Sequence, residues 1–300
     1  MNKTTLEQWR MLDAVVRYGG FAQAAAAIHK SQSTINHAVH KLQNQLGLSL
    51  LEVVGRKAQL TEAGALMLRR AQRLLEHASD MEQVAASLAA GDEAEIRIAV
   101  DEVFPPAYLV NALETLSARY PNTRVQLQET VLSGGPELLR GGDVDLLIAG
   151  EIPQGFLGDP LARVAFIAVA RHDHPLLQQP APLNLQDLAP YRQIVVRDSS
   201  REQDTDSGWL GAEQRWTVSH VTTSLDMISR GMGFAWLPAP RVQAALDAGV
   251  LAALPLEKGA RRYAQLYLTH ADTDRAGPAT RYLAQLLHET CLKNADSFDF

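Results

Sequence analysis

Cysteine is nearly absent from this chain: Cys291 is the only one in 300 residues. A single thiol excludes an intramolecular disulfide, a cysteine-based zinc site and a two-cysteine peroxide switch. Long apolar runs are absent too, since none approaches the roughly twenty residues that a membrane helix needs. No apolar core follows the amino-terminal Met-Asn-Lys-Thr-Thr, as it would in a signal peptide. We therefore expect neither secretion nor a membrane partner.

Motifs for catalysis and cofactor binding are missing as well. The sequence has no Gly-x-Ser-x-Gly elbow, phosphate-binding loop or dinucleotide fingerprint, because its pieces SGG, RGGD and RGMG lack the spacing and the following Lys. His172-Asp173-His174 resembles a metal-ligand cluster, but a strand that runs into a turn explains it better. The acidic stretch 201–208 indicates an exposed loop. These absences predict no enzyme activity, no cofactor and no bound metal, although residues that meet only in space escape such a search.

Positive charge is scarce overall but concentrated at the amino-terminal end. Residues 1–60 hold seven Lys or Arg and three acids, a net charge of +4, in a chain whose total is −6. Residues 61–300 therefore carry −10. A basic head on an acidic body favours local contact with nucleic acid over a uniformly adhesive surface.

Residues 20–46 have the pattern of a helix-turn-helix DNA reader, with a short Ala-rich helix, a tight turn, and a second helix capped by Ser31. The face that packs on the domain repeats at helical spacing through Ile35, Ala38, Val39, Leu42 and Leu46. The opposite edge carries groups suited to base edges and phosphates: Gln32, Ser33, Thr34, Asn36, His37, His40 and Lys41. An ordinary amphipathic helix with a solvated polar face is the alternative.

The flanking segments favour the DNA-binding interpretation. A first helix over 4–17 covers the small core with Leu6, Trp9, Leu12, Ala14, Val15 and Val16. Two short strands around Gly55 predict a hairpin wing, and Arg56 and Lys57 at its tip suit phosphate or minor-groove contact. Because the second helix contains no Arg, part of the affinity must come from this wing and from a second subunit.

A long helix from Thr61 to about Leu88 provides a means of dimerisation. Its apolar residues recur at the 4-3-4-3-4-3 spacing of a coiled-coil seam, at Met67, Ala71, Leu74, Ala78, Met81, Ala85 and Leu88. A helix packed on its own domain is the alternative. We favour a two-fold dimer because one small domain has few DNA contacts, whereas a dimer reads two half-sites roughly one helical turn apart.

Residues 95–300 alternate strand-like and helix-like segments, which predicts an α/β fold with mostly parallel sheets. Strands are expected at 96–100, 125–131, 144–149, 166–170, 194–196 and 234–237. Helices are expected at 105–120, 135–140, 223–230 and 240–248.

The first ninety residues resemble the LysR-type transcriptional regulators. The matching features are Gly20-Phe21, Ala25-Ala26, Ser31-Gln32, Leu46-Gly47, Gly55-Arg56 and the run from Leu60 to Gly64. Tyr120-Pro121, 142–148, 231–234 and Leu237-Pro238 extend the resemblance, more loosely, into the α/β region. Ser33 and His37 stand where the family commonly has Pro and Arg, so the operator preference of relatives does not transfer.

This resemblance implies an α/β protein overall, in three parts. An all-α winged helix-turn-helix domain spans 1–60 and a linker helix spans 61–88. After a hinge at 89–94, a two-lobed effector domain of periplasmic-binding-protein type spans 95–300. Lobe I is expected over 95–165 and 267–300, and lobe II over 166–266, with a small molecule bound between them. The resemblance also implies a dimer of dimers, and a bacterial cytoplasm is the expected compartment.

Effector contacts are expected where strands end and helices begin, because free backbone N–H groups gather there. These positions are Asp101, Glu102, Val103, Phe104, Thr130, Ala149, Arg197, Asp198, Ser199, Thr222, Thr223 and Ser224. The family's effectors are often small carboxylates, but Asp101 and Glu102 argue against a simple anion. Either the effector carries a cation or hydroxyls there, or these acids only cap the helix. Arg197 either holds an acidic group of the effector or pairs with a nearby Asp, which leaves an amphoteric molecule open.

The sequence thus predicts a regulator that binds double-stranded operator DNA as a homodimer or homotetramer and responds to an unidentified small molecule. RNA polymerase is a further candidate partner. Two alternatives stay open. One is an architectural DNA-binding protein without an effector, and the other is a solute-binding or enzymatic domain fused to a helix-turn-helix.

Overall fold

The computed structural model describes residues 3–54, 57–202, 205 and 208–294. The chain forms two compact units, Met1–Ala89 and Ala90–Phe300. No helix in the described ranges is both long enough and apolar enough to cross a membrane.

The first unit is a three-helix core followed by a hairpin and a long helix. Its elements are α1 (Leu6–Arg17), α2 (Phe21–Ala27), α3 (Gln32–Leu46), β1 (Leu51–Val54), β2 (Lys57–Leu60) and α4 (Glu62–Ala89). Strands β1 and β2 pair antiparallel, as the predicted wing requires. The wing tip at Gly55 and Arg56 lies outside the described residues.

Local capping explains where these helices begin. Thr5 and Gln8 form a capping box at the start of α1, and the Ser31 hydroxyl accepts the Thr34 N–H at the start of α3. The Thr61 hydroxyl accepts the Gly64 N–H at the start of α4. The sequence predicted the Ser31 cap and a helix that starts at Thr61, but it did not predict the capping box.

The core of the first unit differs from the prediction at the two ends of α1. Trp9, Leu12, Ala14 and Val15 are buried as expected, but Leu6 and Val16 are 38% and 36% exposed. Their helical positions lie at the rim of the buried face, so the prediction that they cover the core is wrong.

The second unit contains a nine-stranded sheet in the order β4-β3-β5-β11-β6-β9-β7-β8, with β10 paired to β6. The strands are β3 (Glu95–Asp101), β4 (Arg124–Thr130), β5 (Leu146–Ala149), β6 (Gly158–Arg171), β7 (Gln193–Val196), β8 (Arg215–Val218), β9 (Phe234–Pro238), β10 (Leu251–Ala253) and β11 (Arg261–His270). The helices are α5 (Pro106–Arg119), α6 (Gly134–Gly141), α7 (Leu185–Leu188), α8 (Val221–Ser229), α9 (Ala239–Asp247) and α10 (Pro278–Lys293), with a short 3-10 helix at Pro175–Gln178.

The prediction of mostly parallel sheets is only partly right: it holds for β3, β4 and β5 and for β7, β8 and β9, but every pair made by β6 or β11 is antiparallel. Strand β3 runs parallel to β4 and β5, and β7 runs parallel to β8 and β9. The long strands β6 and β11 pair antiparallel with each other and with their other neighbours. They are antiparallel because they carry the chain from one lobe to the other and back.

Separate apolar cores confirm that the unit has two lobes. Ile98, Leu146 and Leu283 belong to the core of the first lobe, and Ile194 and Val242 to a core of the second. On β6 the change of core falls between Val164 and Ala165, one residue before the predicted end of lobe I. On β11, Leu266 already belongs to the first-lobe core, so the return crossing lies slightly earlier than predicted.

Candidate functional site

The exposed face of α3 collects the polar residues that the sequence predicted. Ile35, Val39 and Leu42 are buried in the core. The exposed residues of the helix are Gln32, Ser33, Thr34, Asn36, His37, His40, Lys41 and Asn44. Because helical neighbours lie three and four positions apart, these side chains form one continuous polar surface. Asn44 was missed, although its position four residues after His40 places it on the same surface.

Hydrogen bonds hold both ends of this polar face in place. The Ser31 hydroxyl lies 2.8 Å from the Ser33 hydroxyl and 2.7 Å from the Thr34 hydroxyl. At the other end, Gln43 Oε1 accepts the N–H groups of Leu50 and Leu51 at 2.7 and 3.1 Å. The same helix therefore presents the polar face and fixes the first strand of the wing.

The proposed coiled-coil seam is only partly available on α4. Ala71 is 4% exposed within the core of the first unit, and Met67 packs against that core. The expectation that these two belong to a seam is therefore corrected, because their side chains already pack inside the first unit. Further along, Leu74, Met81 and Leu88 are 50%, 74% and 52% exposed.

A cavity of about 550 Å³ lies where the two lobes of the second unit face each other. First-lobe residues Asp101, Glu102, Val131 and Ser133 line one side of it. The other side is more apolar and aromatic, with Phe166, Ile194, Trp209, Trp236, Leu237 and Tyr263 among its residues. The cavity therefore has a carboxylate-bearing end and an aromatic end.

Asp101 is buried at the carboxylate-bearing end. Its Oδ1 accepts the Val103 N–H at 3.1 Å, and its Oδ2 accepts the Leu132 N–H at 3.2 Å. Burial raises the pKa of Asp101 to about 7, and the negative charges of Glu102 and Asp198 add to that rise. The bond to Leu132 also supports a backbone with φ of 52°, which non-glycine residues rarely adopt.

Glu102 reaches across from the first lobe to the start of α8 in the second. Its Oε2 accepts the Val221 N–H at 2.6 Å, and its Oε1 lies 2.5 Å from His220 Nδ1. The Glu102 backbone carbonyl also accepts Arg241 Nε at 3.1 Å. A carboxylate at a helix N-terminus is favourable because the first N–H groups have no partner within the helix. Glu102 therefore caps a helix, but the helix belongs to the other lobe.

Asp198 makes the reciprocal contact from the second lobe to the start of α6 in the first. Its carboxylate accepts the Ser133 N–H at 3.1 Å and also the Ser133 hydroxyl. Burial alone would raise the pKa of Asp198, but hydrogen bonds from Ser133, Ser200 and Thr205 hold it below its ordinary value. Each lobe thus supplies one buried carboxylate to a helix start of the other.

The segment after Asp198 extends this contact. The Ser199 hydroxyl accepts the Val131 N–H at 2.9 Å, and the Ser200 hydroxyl donates to Glu137 at 2.6 Å. A Cβ on Gly134 would come within 2.0 Å of the Ser199 Oγ, so the approach requires glycine there. Residues 198–200 therefore dock closely on the start of α6.

Only three of the twelve predicted effector residues line the cavity: Asp101, Glu102 and Val103. Phe104, Thr130, Ala149 and Ser224 are buried in the packed interior, so the expectation that they face an effector is corrected. Arg197, Thr222 and Thr223 are exposed outside the cavity lining. Asp198 and Ser199 join the lobes rather than line the cavity.

The structure places Arg262, not Arg197, at the cavity. Its guanidinium lies over the Trp236 ring, with Cζ 4.5 Å from the ring centroid, and burial lowers its pKa. Gln193 is another lining residue that the sequence did not indicate. Its Oε1 is buried without a hydrogen-bond partner among the described groups, whereas its Nε2 donates to the Trp209 carbonyl at 2.7 Å.

The alternation of Ala264, Leu266 and Leu268 would have revealed β11 and hence Arg262. Trp209 lies outside any helix or strand, so no periodic pattern marks it. No group of three or more metal-ligating side chains occurs in the part of the chain that the structure describes.

Comparisons with known proteins agree with both halves of the fold. A family model described as "LysR substrate binding domain" matches residues 89–292. Another, "Bacterial regulatory helix-turn-helix protein, lysR family", matches residues 6–65. The Escherichia coli K12 protein named "Uncharacterized HTH-type transcriptional regulator YeeY" is 34% identical over 258 residues, covering 83% of this chain and 82% of its own.

Two solved structures share the fold at low sequence identity. CrgA, a LysR-type transcriptional regulator from Neisseria meningitidis, is 21% identical with a TM-score of 0.53, and the match covers 96% of this chain and 99% of CrgA. Full-length LysG from Corynebacterium glutamicum with bound effector Arg is 19% identical with a TM-score of 0.51, over 97% of this chain and 99% of LysG.

Proposed function

The chain belongs to the LysR family of bacterial helix-turn-helix transcriptional regulators, and on that premise we propose how its two units divide the work. The exposed face of α3 reads operator DNA in the major groove. A small molecule bound in the cavity between the lobes of the second unit changes the affinity of the protein for operator DNA or its effect on transcription there. The single observation that carries the first part is the continuous polar face of α3.

The residue types on α3 support base reading by short hydrogen-bonding groups. Asn and Gln pair with adenine edges, whereas Ser and Thr bond either purine or pyrimidine edges or phosphate. With Lys41 as the only permanent cation on the exposed face, non-specific affinity depends on the net charge of +4 in residues 1–60 and on the wing. Arg56 and Lys57 are proposed to supply phosphate contacts there.

Dimerisation through the carboxyl-terminal part of α4 is proposed to bring two readers together. With Met67 and Ala71 assigned to the core, the remaining seam keeps the heptad spacing and is exposed except at the half-buried Ala78: it consists of Leu74, Ala78, Met81, Ala85 and Leu88. LysR regulators form oligomers, and a homodimer or homotetramer is the proposed assembly here. RNA polymerase is proposed as a partner once the protein is on DNA.

Effector control is supported by the arrangement between the lobes. Glu102 and Asp198 form hydrogen bonds between the lobes. A ligand that binds one arrangement of the lobes more tightly than another shifts the population toward that arrangement. The description of LysG with bound effector Arg supports a small molecule as the signal. A cavity of about 550 Å³ with a buried unpartnered acceptor on Gln193 favours this role over an architectural protein without an effector.

A matched pair of substitutions tests the DNA-reading part. Asn36→Ala removes an exposed amide from α3, and Asn111→Ala removes an exposed amide from α5 in the second unit as a control. Dissociation constants are measured by fluorescence anisotropy on a duplex selected from a random pool and on a scrambled duplex. Loss of a base contact costs about 1–3 kcal/mol, so Asn36→Ala should weaken specific binding about 5- to 100-fold.

The scrambled duplex should bind Asn36→Ala as it binds the unmodified protein, and Asn111→Ala should behave normally on both. Equal losses on the two duplexes would remove α3 from the base-reading role.

A further inference from the structure

Two of the helix starts at the lobe junction are already occupied by carboxylates of the protein itself. Glu102 accepts the Val221 N–H of α8, and Asp198 accepts the Ser133 N–H of α6. Helix N-termini are where a small anionic ligand would ordinarily bind. Both carboxylate-bearing residues are 5% exposed, so a ligand carboxylate would have to displace a buried and hydrogen-bonded group.

The charge around Asp101 disfavours an anion in the same place. Glu102 and Asp198 are the charged groups that act on it most strongly, and both raise its pKa. The nearby basic groups have other partners: Arg241 donates to the Glu102 carbonyl and pairs with Glu129, and His220 contacts the Glu102 carboxylate. A further negative charge would add to this repulsion, whereas a positive charge would relieve it.

The remaining walls indicate the body of the ligand. Trp209 and Trp236 lie with ring centroids 5.9 Å apart at the aromatic end of the cavity, which Phe166 also lines. Flat apolar groups pack well against such rings. The buried Gln193 Oε1 is an acceptor that needs a donor, because burying it unpaired is unfavourable.

Resting on the proposed regulator function, we infer that the effector is a flat, mainly apolar molecule with an amine or an uncharged hydrogen-bond donor. We infer further that Asp101 and Glu102, the carboxylates at the helix-start end of the cavity, set this specificity by disfavouring small carboxylates. Arg262 is the cation of the described cavity lining, and its guanidinium is engaged over Trp236 at the opposite, aromatic end. The carboxylates of Asp101 and Glu102 therefore determine the charge at the other end of the cavity, near the helix starts.

Three isosteric probes that differ in charge test this inference: tryptamine, tryptophol and indole-3-acetate. Their binding to the full chain is measured by isothermal titration calorimetry at pH 8. We expect tryptamine to bind at least tenfold more tightly than indole-3-acetate, with tryptophol between them. Indole-3-acetate binding as tightly as tryptamine, or no binding of any probe at millimolar concentration, would overturn the inference.

Two variants identify the groups responsible. Asp101→Asn should reduce tryptamine affinity to the level of tryptophol and should abolish the rise in tryptamine affinity between pH 6 and pH 8 that ionisation of Asp101 produces. Glu114→Gln on α5, which changes an exposed carboxylate, should leave all three affinities unchanged. If the tryptamine affinity of Asp101→Asn still rises between pH 6 and pH 8, the role of Asp101 is overturned. This measurement compares the same variant at two pH values.

The DNA measurements keep this inference separate from the proposed function. If the chain fails to bind DNA specifically but keeps the probe ranking, the proposed function fails and the ligand class stands. If specific DNA binding holds and the ranking is reversed, only the ligand class fails.

Discussion

Replacing Asp101 with Asn should change how the stability of the second unit depends on pH. Asp101 has a pKa of about 7 in the folded chain, against 3.8 as its ordinary value. Between these two values the folded state binds more protons than the unfolded state, so stability falls as pH rises. The contribution is fully present below about pH 4 and is lost as pH rises through 7. Linkage gives a loss of roughly 2–3 kcal/mol in the free energy of unfolding between pH 5 and pH 8.

Asp101→Asn removes this titration but also loses a hydrogen bond. The aspartate accepts one N–H with each oxygen, from Val103 and from Leu132, whereas an amide has only one oxygen. That mismatch costs about 1–3 kcal/mol, and it does not vary with pH once the side chain is an amide. The difference between the two pH profiles is therefore the quantity that carries the prediction, rather than stability at any one pH.

The assay is urea unfolding at pH 5, 6, 7 and 8, followed by tryptophan fluorescence. Trp9 lies in the first unit, so both proteins carry Trp9→Phe, which leaves Trp209, Trp216 and Trp236 as reporters of the second unit. The unmodified protein should lose roughly 2–3 kcal/mol relative to Asp101→Asn as pH rises from 5 to 8. Parallel profiles would refute the assignment of a buried, charge-repelled carboxyl at this position.

Three further substitutions test other parts of the account. Asp198→Asn should destabilise the second unit by about 1–3 kcal/mol at pH 7, because the depressed pKa of Asp198 means that its charged form stabilises the fold. In urea unfolding, this loss of stability should become smaller below pH 4. A loss that becomes larger there would contradict the assignment. Ser31→Ala should lower the stability of the first unit by about 1 kcal/mol through loss of the α3 cap, seen as an earlier Trp9 transition. Met81→Lys should yield monomers in light scattering, whereas Leu66→Lys, at an exposed position beside the seam, should remain dimeric.

Local signals in the sequence identify most of the first unit. Ser31, Thr61 and the apolar spacing of α3 act over a few residues, so their structural consequence can be read without knowing the rest of the fold. Ala71 shows the limit of that reasoning, since heptad spacing does not reveal which partner covers a side chain. The core of its own unit covers it here.

The candidate effector site is less predictable because its contacts join distant parts of the chain. The rule that ligands bind at strand ends selected Asp101 and Glu102, which line the cavity. It could not show that Glu102 bonds Val221, 119 positions away, or that Asp198 bonds Ser133, 65 positions away. Such partners depend on how two lobes close, which no local pattern specifies. The alternative that these acids cap the helix following their own strand therefore gave the right chemistry for Glu102 but the wrong helix.

The central claim is that this chain reads DNA as a symmetric dimer through α3, and site selection from a random duplex pool tests it most directly. The account predicts enrichment of an inverted repeat whose half-sites lie about one helical turn apart. It predicts further that Met81→Lys abolishes enrichment of the paired site, while Leu66→Lys preserves it. Absence of any enriched motif, or an unchanged inverted repeat selected by a monomeric Met81→Lys protein, would contradict the account.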